Sequence, residues 1–214
     1  MRTYGQYCPL AKTLDVIGDR WSLLIVRELL LRGPCRYTDI RHGLPGVATN
    51  LLADRLRELE RAGVIRREAA PPPVATTLFH LTPRGEELQR VMRDMALWGL
   101  PLLAEASDDD VFRSYWLTSP MLHMKDPTPD LPPVTVEIRA GDEPPMVIET
   151  VDGQVRARPG SVEQPDAVIT GAPRLVVGIL IGDLDLEEAR AHGLQYDGDP
   201  NILRRVQPKG LARV

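Results

Sequence analysis

The hydrophobic and polar positions of residues 49–68 follow the period of a helix and then that of a strand. Leu52, Leu56 and Leu59 lie at i, i+4 and i+7, which is the spacing of one buried helical face. The polar positions of another, solvent-facing side are Asn50, Asp54, Arg57 and Arg61. Gly63 supplies a left-handed stop, and residues 64–67 continue as a strand. The pattern predicts an amphipathic helix that runs directly into a β-strand.

The rest of the first half predicts further short helices and one hairpin. Residues 10–17 form a short helix, residues 21–31 form one that is apolar on most of its circumference, and residues 36–42 form one or two turns. Residues 64–68 and 76–81 form two strands, and Thr82-Pro83 begins another helix with Thr82 as its cap. A leucine-backed helix with arginines outside, followed by a hairpin, is what a winged helix-turn-helix needs to enter a DNA groove. The sequence thus predicts a DNA-binding protein.

Three arginines of this predicted recognition helix have competing interpretations. Arg57 and Arg61 could contact bases or phosphates, or they could be a solvated face paired with Glu58 and Glu60. The winged-helix context favours DNA contact. Arg55 lies beside the leucine seam, where an ion pair with an acidic residue of the preceding helices competes with a phosphate contact.

The second half has the pattern of an α+β domain. Strands are predicted over residues 134–139, 146–151, 154–158 and 167–170, with Asp152-Gly153 as a type I′ hairpin turn. An apolar helix over 173–181 and an amphipathic one over 185–192 follow, and 194–206 completes the domain. The acidic run 108–110 predicts the start of a helix, ahead of a proline-rich stretch. We therefore expect an α+β protein with domains at 1–106 and 134–214, joined by a helix and linker over 107–133.

Composition and charge narrow the function. Residues 1–105 carry 15 basic and 12 acidic side chains, a net charge of +3, whereas residues 106–214 carry 11 and 18, a net charge of −7. Only the first half suits nucleic acid. Two cysteines and four scattered histidines predict no metal site, and the absence of nucleophile and phosphate-loop motifs predicts no cofactor and no enzyme. Without an apolar span or a leader sequence, we expect a cytoplasmic protein with no membrane contact.

A set of motifs at fixed spacing covers about residues 5–105. They are Trp21, Arg27-Glu-Leu, Arg36-Tyr-Thr-Asp-Ile, Leu44-Pro-Gly, Arg55-Leu-Arg-Glu-Leu, Gly63-Val-Ile and Leu81-Thr-Pro-Arg-Gly. This region resembles the HxlR-type transcriptional regulators, winged-helix proteins related to the MarR group. The resemblance implies a homodimer that binds an inverted repeat of double-stranded DNA, with the first and last helices of the region at the interface.

The resemblance, together with the helical patterns, suggests residues for each role. The candidate DNA contacts are Arg36, Thr38, Thr49, Asn50, Asp54, Arg57, Arg61 and Arg66. The candidate dimer residues are Leu10, Leu14, Met95, Trp98 and Leu102, since a lone domain of this size has nowhere to bury so long an apolar stripe. The family usually has Ser or Thr followed by Pro before the recognition helix, whereas this chain has Ala48-Thr49, so we expect Thr49 to cap the helix instead. The wing (residues 69–77) contains no Lys or Arg, so any DNA contact there must come from backbone groups or from Arg66 and Arg67 at its base.

Cys8 corresponds to a cysteine that redox-sensing members of this family use, so the resemblance makes it a candidate redox sensor. The alternative is a small hydrophobic residue buried at the dimer interface. Of the basic side chains, only Lys12 lies close in sequence to lower its pKa. Cys35, in a turn beside Pro34, is expected to be inert.

The second half resembles the sterol-carrier-protein type two domain, a lipid-binding α+β fold. The resemblance covers about residues 110–207 and depends on Asp166-Ala-Val-Ile-Thr-Gly, Gly182-Asp-Leu-Asp and Leu194-Gln-Tyr-Asp-Gly-Asp-Pro. It implies an apolar tunnel between a sheet and its helices. The candidate lining residues are Val136, Ile138, Val147, Leu175, Val176, Ile179 and Leu180, for which ordinary core packing is the alternative.

The sequence as a whole predicts a dimeric transcriptional regulator, a repressor, that responds to a hydrophobic small molecule. The competing interpretation is a lipid carrier or accessory protein whose winged helix makes only protein contacts. Such a protein would need no affinity for DNA, and salt would have little effect on its binding to partners.

Overall fold

A computed structural model describes residues 3–70, 76–107, 109–121 and 124–207 of the chain. The fold divides into two compact units, Met1–Met92 and Arg93–Val214. The domain boundary expected at residue 106 lies within the second of these units.

The first unit combines helices with a three-stranded antiparallel sheet. Its elements are α1 (Pro9–Ile17), α2 (Ser22–Arg32), β1 (Cys35–Arg36), α3 (Tyr37–His42), α4 (Thr49–Arg61), β2 (Ile65–Ala69), β3 (Thr77–Leu81) and α5 (Pro83–Glu86). The sheet order is β1-β3-β2, and α6 (Leu88–Gly99) contains the boundary with the second unit. Two helices followed by a hairpin make this unit a winged helix-turn-helix.

Local sequence explains where the elements of the first unit begin and end. The predicted helix stop at Gly63 is confirmed by a φ of +69°, a conformation that glycine adopts without steric cost. The predicted cap at Thr82 is also confirmed, because its side chain accepts a hydrogen bond of 3.1 Å from the Gly85 backbone N–H. Gly85 itself packs so closely on β2 that an added Cβ would lie 2.2 Å from the Val64 carbonyl oxygen.

The second unit is built on a five-stranded mixed sheet in the order β6-β5-β4-β7-β8. Its strands are β4 (Thr135–Ala140), β5 (Met146–Val151), β6 (Gln154–Pro159), β7 (Ala167–Gly171) and β8 (Gln195–Gly198). Its helices are α7 (Thr118–Met121), α8 (Pro173–Ile181), α9 (Leu186–Ala191) and α10 (Leu203–Val206), with short 3-10 helices at Leu100–Glu105, Ser114–Leu117 and Pro200–Ile202. Strands β4 and β7 pair in parallel, and the other pairs are antiparallel.

The segment between the expected domains is part of the second unit. Met121 and Met124 join its hydrophobic core, and Asp126 forms a buried ion pair of 2.6 Å with Arg205 of α10. The helix start expected at 108–110 is wrong in the described part of this run: Asp110 accepts a hydrogen bond from the Ser107 backbone N–H, and the next helical residue is Ser114. The predicted hairpin turn is confirmed by positive φ angles at Asp152 and Gly153.

Candidate nucleic-acid interface

Helix α4 has one buried and one exposed face, as its sequence predicts. Leu52, Leu56 and Leu59 are buried in the core of the first unit, and α4 packs against α1 and α2. The candidate DNA contacts on the outer face are all exposed: Thr49, Asn50, Asp54, Arg57 and Arg61. The last four follow one stripe that spans about 17 Å of helix.

A cluster of charged side chains on α2 contacts α3 and the turn that follows it. Glu28 of α2 is fully buried, and its carboxylate accepts hydrogen bonds of 3.1 and 2.9 Å from Arg27. Arg27 also donates to the Gly43 carbonyl oxygen (3.1 Å), and Arg32 donates to the Asp39 carbonyl oxygen (3.0 Å). Two arginines thus bind carbonyl groups at the end of α3 and in the turn while they neutralise one buried carboxylate. The cluster has no local sequence pattern and was not predicted.

The start of α4 differs from the prediction. Thr49 is the first helical residue and Ala48 the cap, and no side chain caps the helix. The Thr49 carbonyl oxygen accepts a hydrogen bond of 2.9 Å from the Tyr37 hydroxyl group, so α3 contacts the first turn of α4 directly. The predicted capping role of Thr49 is therefore wrong.

The arginines of α4 have different environments. Arg57 donates to Asp54 (Nη2 to Oδ1, 2.5 Å) and to the Ala53 carbonyl oxygen (Nε to O, 3.2 Å). Arg55 binds Asp19 at 2.7 Å and also Glu58, which supports the ion-pair interpretation of that residue. Arg61 is exposed, and among the described residues no side chain or carbonyl group is paired with it. Glu58 and Glu60 are thus not the partners of Arg57 and Arg61.

Acidic partners hold the arginines at the base of the wing. Arg66 pairs with Glu68, and the hydrogen bond and charge of Arg66 lower the pKa of that carboxyl group. Arg67 pairs with Glu60 at 2.7 Å. The tip of the wing, residues 71–75, lies outside the described residues, so the expected DNA contact by its backbone groups stays a prediction.

At the beginning of α3, the candidate phosphate contacts Arg36 and Thr38 are both exposed. The Arg36 backbone N–H donates to the Asp39 carboxylate at 3.0 Å, which closes the first turn of α3.

The candidate dimer residues are exposed in the single chain. Leu10 of α1 is 67% exposed and Trp98 of α6 is 77% exposed, and Leu14, Met95 and Leu102 are exposed as well. Large apolar side chains left in water in this number are typical of a surface that another molecule covers.

The candidate ligand residues of the second unit divide between two faces of the sheet. Val136, Ile138, Val176, Ile179 and Leu180 lie together in its buried core, with Leu175 packed against them as a partly buried side chain. Val147 is buried but does not join that cluster, because Met146 and Ile148, its neighbours along β5, point into it. Val147 pairs across the strands with Glu137 on the opposite face, so the grouping of Val147 with the other six residues is wrong.

The two cysteines differ in access to solvent. Cys8, which precedes α1, is partly exposed, whereas Cys35 is buried. Burial raises the pKa of the Cys35 thiol to about 11, which keeps it protonated and unreactive near neutral pH. No group of three or more side chains within the described ranges is placed to hold a metal ion. None of the helices in the described part of the chain is long and apolar enough to cross a membrane.

The fold and the exposed face of α4 define the class of protein, a helix-turn-helix transcriptional regulator. The model of the HxlR-like helix-turn-helix family matches residues 16–107. An uncharacterised HTH-type transcriptional regulator of Synechocystis, sll1512, is 36% identical over 103 residues, which are 48% of this chain and 76% of that protein. The HTH-type transcriptional regulator YodB of Bacillus subtilis is 33% identical over 92 residues, 42% of this chain and 81% of YodB. The solved structure of reduced YodB covers 44% of this chain and 92% of its own, with 32% identity and a TM-score of 0.39.

The chain therefore belongs to the HxlR-like helix-turn-helix family. The two relatives named above are HTH-type transcriptional regulators. The family match ends at residue 107, so this identification depends on the first half of the chain.

Proposed function

We propose that the chain is a dimeric repressor that reads an inverted repeat through α4 and responds to a hydrophobic small molecule in its second unit. The observation that carries the proposal is the two-faced burial of α4, with three leucines in the core and a stripe bearing Arg57 and Arg61 in solvent. In a dimer, two such helices would enter successive major grooves about one helical turn apart.

Fluorescence anisotropy with labelled DNA from upstream of the protein's own coding region, at two salt concentrations, tests this DNA binding. We expect tight, salt-sensitive binding that the double variant Arg57→Ala, Arg61→Ala loses. The matched control removes Arg156 and Arg158, two exposed arginines of β6, and should retain binding. If the natural chain binds the upstream DNA no more tightly than random DNA, and the α4 variant binds with the same affinity, the carrier interpretation is favoured.

The exposed apolar side chains of α1 and α6 support the proposed dimer. Trp98→Asp adds a charge to a side chain that the single chain leaves in water, so it should weaken association without unfolding the monomer. Analytical ultracentrifugation should show a dimer for the natural chain and a mass shift toward monomer for the variant. A monomer at micromolar concentration in the natural chain would contradict the proposed dimer.

The apolar interior of the second unit supports the proposed effector site. Helices α7, α8 and α10 contact the five-stranded sheet, and six of the seven apolar candidates belong to the core of this unit or pack against it. To change DNA occupancy from nearly full to nearly empty, the effector would have to bind one dimer arrangement more tightly than the other by about 5.5 kcal/mol.

Thermal unfolding in the presence of oleate, used as a hydrophobic probe, tests the effector site. At a free oleate concentration of 100 times Kd, binding to one specific site adds about 2.7 kcal/mol to the free energy of unfolding, so Tm should rise. Leu175→Gln, at the partly buried margin of the core, should reduce that rise, whereas Val147→Ala on the other sheet face should leave it unchanged. An unchanged Tm at saturating oleate in the natural chain would count against a lipid-sized effector.

We further propose that Cys8 is the redox-sensitive residue of the chain. Its partial exposure supports this role, in contrast with the buried Cys35. Loss of DNA binding on treatment with diamide, absent in Cys8→Ser, is the expected result. The same loss in Cys8→Ser would refute the proposal.

A further inference from the structure

The Asp54–Arg57 pair on the outer face of α4 leaves one edge of a guanidinium group free. A guanidinium group has five N–H donors in a fixed plane. Two of them are used within the helix: Nε donates to the Ala53 carbonyl oxygen at 3.2 Å, and Nη2 donates to Asp54 at 2.5 Å. The two hydrogens on Nη1 and the second hydrogen on Nη2 find no acceptor among the described residues, and they form the outer end of the fork.

This free end matches a guanine base. In the major groove, guanine presents two acceptors, O6 and N7, and a bidentate arginine is the commonest specific contact to them. Because two intrahelical hydrogen bonds fix the plane of the guanidinium group, Arg57 would enter the groove already oriented. An arginine without such partners must give up more rotamer freedom to make the same contact.

Arg61 and Arg55 do not share this arrangement. Arg61, one turn further along α4, is paired with no side chain or carbonyl group of the described residues, so no such hydrogen bond fixes the plane of its guanidinium group. Such a side chain suits a phosphate, which can be approached from many directions and carries no sequence information. Arg55 is occupied by Asp19 and Glu58.

We propose that Asp54 is a positioning residue that orients Arg57 to read one guanine in each half-site, while Arg61 contributes only phosphate affinity. The inference rests on the proposed function, because it assigns base specificity to the same helix. Exposed ion pairs are worth little in water, but the pair would be stronger in the groove, where less water screens it.

The test is selection of bound sequences from a randomised duplex DNA library by the full-length protein and its variants. The natural chain should enrich a motif with a guanine position favoured on the order of 10-fold over other bases. Arg57→Ala should lose that preference, and Asp54→Ala should weaken it several-fold. Arg61→Ala should keep it and lower affinity for all sequences alike. Both side chains of the pair are 56% exposed, so removing either leaves the core intact.

The outcomes separate this inference from the proposed function. An enriched motif whose guanine preference is the same in Asp54→Ala and in the natural chain would overturn the positioning role alone. If Asp54→Ala raises the affinity for specific and for random DNA equally, Asp54 acts only as a negative charge near the phosphates. That result would also overturn the positioning role. No enriched motif for the natural chain would overturn both. If adding Asp54→Ala to Arg57→Ala causes no further change in base preference, the two residues act as one unit, which would support the inference.

Discussion

Replacement of Gly43 by alanine tests how the helix-turn-helix is supported from below. Gly43 has φ −75° and ψ −4°, a right-handed conformation that alanine adopts without strain. In open space the change would stabilise the protein by about 0.4–1 kcal/mol, because alanine restricts the unfolded chain. The new Cβ, however, would lie 1.9 Å from Oε2 of Glu28. The sign of the effect therefore depends on whether that carboxylate can move.

The structure indicates that it moves only at a cost. The carboxylate would have to shift by about 1.5 Å to reach ordinary van der Waals separation. Glu28 is fully buried, and its other oxygen accepts two hydrogen bonds from Arg27. Loss of one charge-assisted hydrogen bond costs about 1.5–3 kcal/mol. After the gain from the restricted unfolded chain is subtracted, Gly43→Ala should destabilise the first unit by about 1–2 kcal/mol.

Thermal unfolding, combined with hydrogen exchange to localise the change, measures this effect. For a domain of this size, a loss of 1 kcal/mol lowers Tm by about 4–8 °C. Faster exchange should be confined to α2, α3 and α4. Gly99→Ala is the control, because Gly99 is also right-handed and an added Cβ meets no atom within 4 Å. Stability of Gly43→Ala equal to or above that of the natural chain would refute the reasoning about the buried carboxylate.

Three further predictions concern other parts of the chain. At pH 7.5, iodoacetamide should modify Cys8 in the folded protein and leave Cys35 unmodified until the chain unfolds, as mass spectrometry would show. Gly85→Ala should destabilise the first unit by about 1–3 kcal/mol in urea unfolding, because the Val64 backbone has to move. Asp126→Asn should cost the second unit about 3–5 kcal/mol at pH 7, since it leaves Arg205 buried without its partner charge.

The Asp126 variant should also change the pH dependence of stability. Burial raises the pKa of Asp126, but hydrogen bonds from Arg205 and Thr128 and the charge of Arg205 outweigh it, so the pKa is lowered. A lowered pKa in the folded state gives stability that is present above the pKa of the unfolded chain and is lost as the pH falls through the folded value. The difference in free energy of unfolding between the natural chain and Asp126→Asn should therefore become smaller below about pH 4. A difference in unfolding free energy that does not depend on pH would contradict this prediction. Equal modification of both cysteines would contradict the first of the other predictions, and an unchanged stability of Gly85→Ala would contradict the second.

Helix α4 was predictable because its leucines repeat with one period and Gly63 ends it, both of which are local properties. The contact between α3 and the first turn of α4 was not predictable, because the hydroxyl group that donates to the Thr49 carbonyl oxygen belongs to Tyr37 of another helix. Likewise, the charged cluster around Glu28 depends on how α2 packs beneath the turn at Gly43.

Val147 was grouped wrongly because the sequence of β5 does not distinguish its two faces. Met146, Val147 and Ile148 are consecutive and all buried, so β5 has no alternation from which its two faces could be read. Pairing with β4 decides the matter, since Val147 lies opposite Glu137 and Ile148 lies opposite Val136. The pairing between Asp126 and Arg205 spans 79 residues and leaves no local pattern, so it could not be foreseen when residues 107–133 were predicted as a helix and a proline-rich linker.

Dimethyl sulfate protection on a duplex that the protein binds shows whether α4 lies in the major groove of DNA. Dimethyl sulfate methylates guanine N7, which faces the major groove, and adenine N3, which faces the minor groove. We expect protection of guanine N7 in two patches about 10 base pairs apart, lost in the double variant Arg57→Ala, Arg61→Ala. A bound duplex with every guanine N7 still reactive would place α4 outside the major groove and contradict the account.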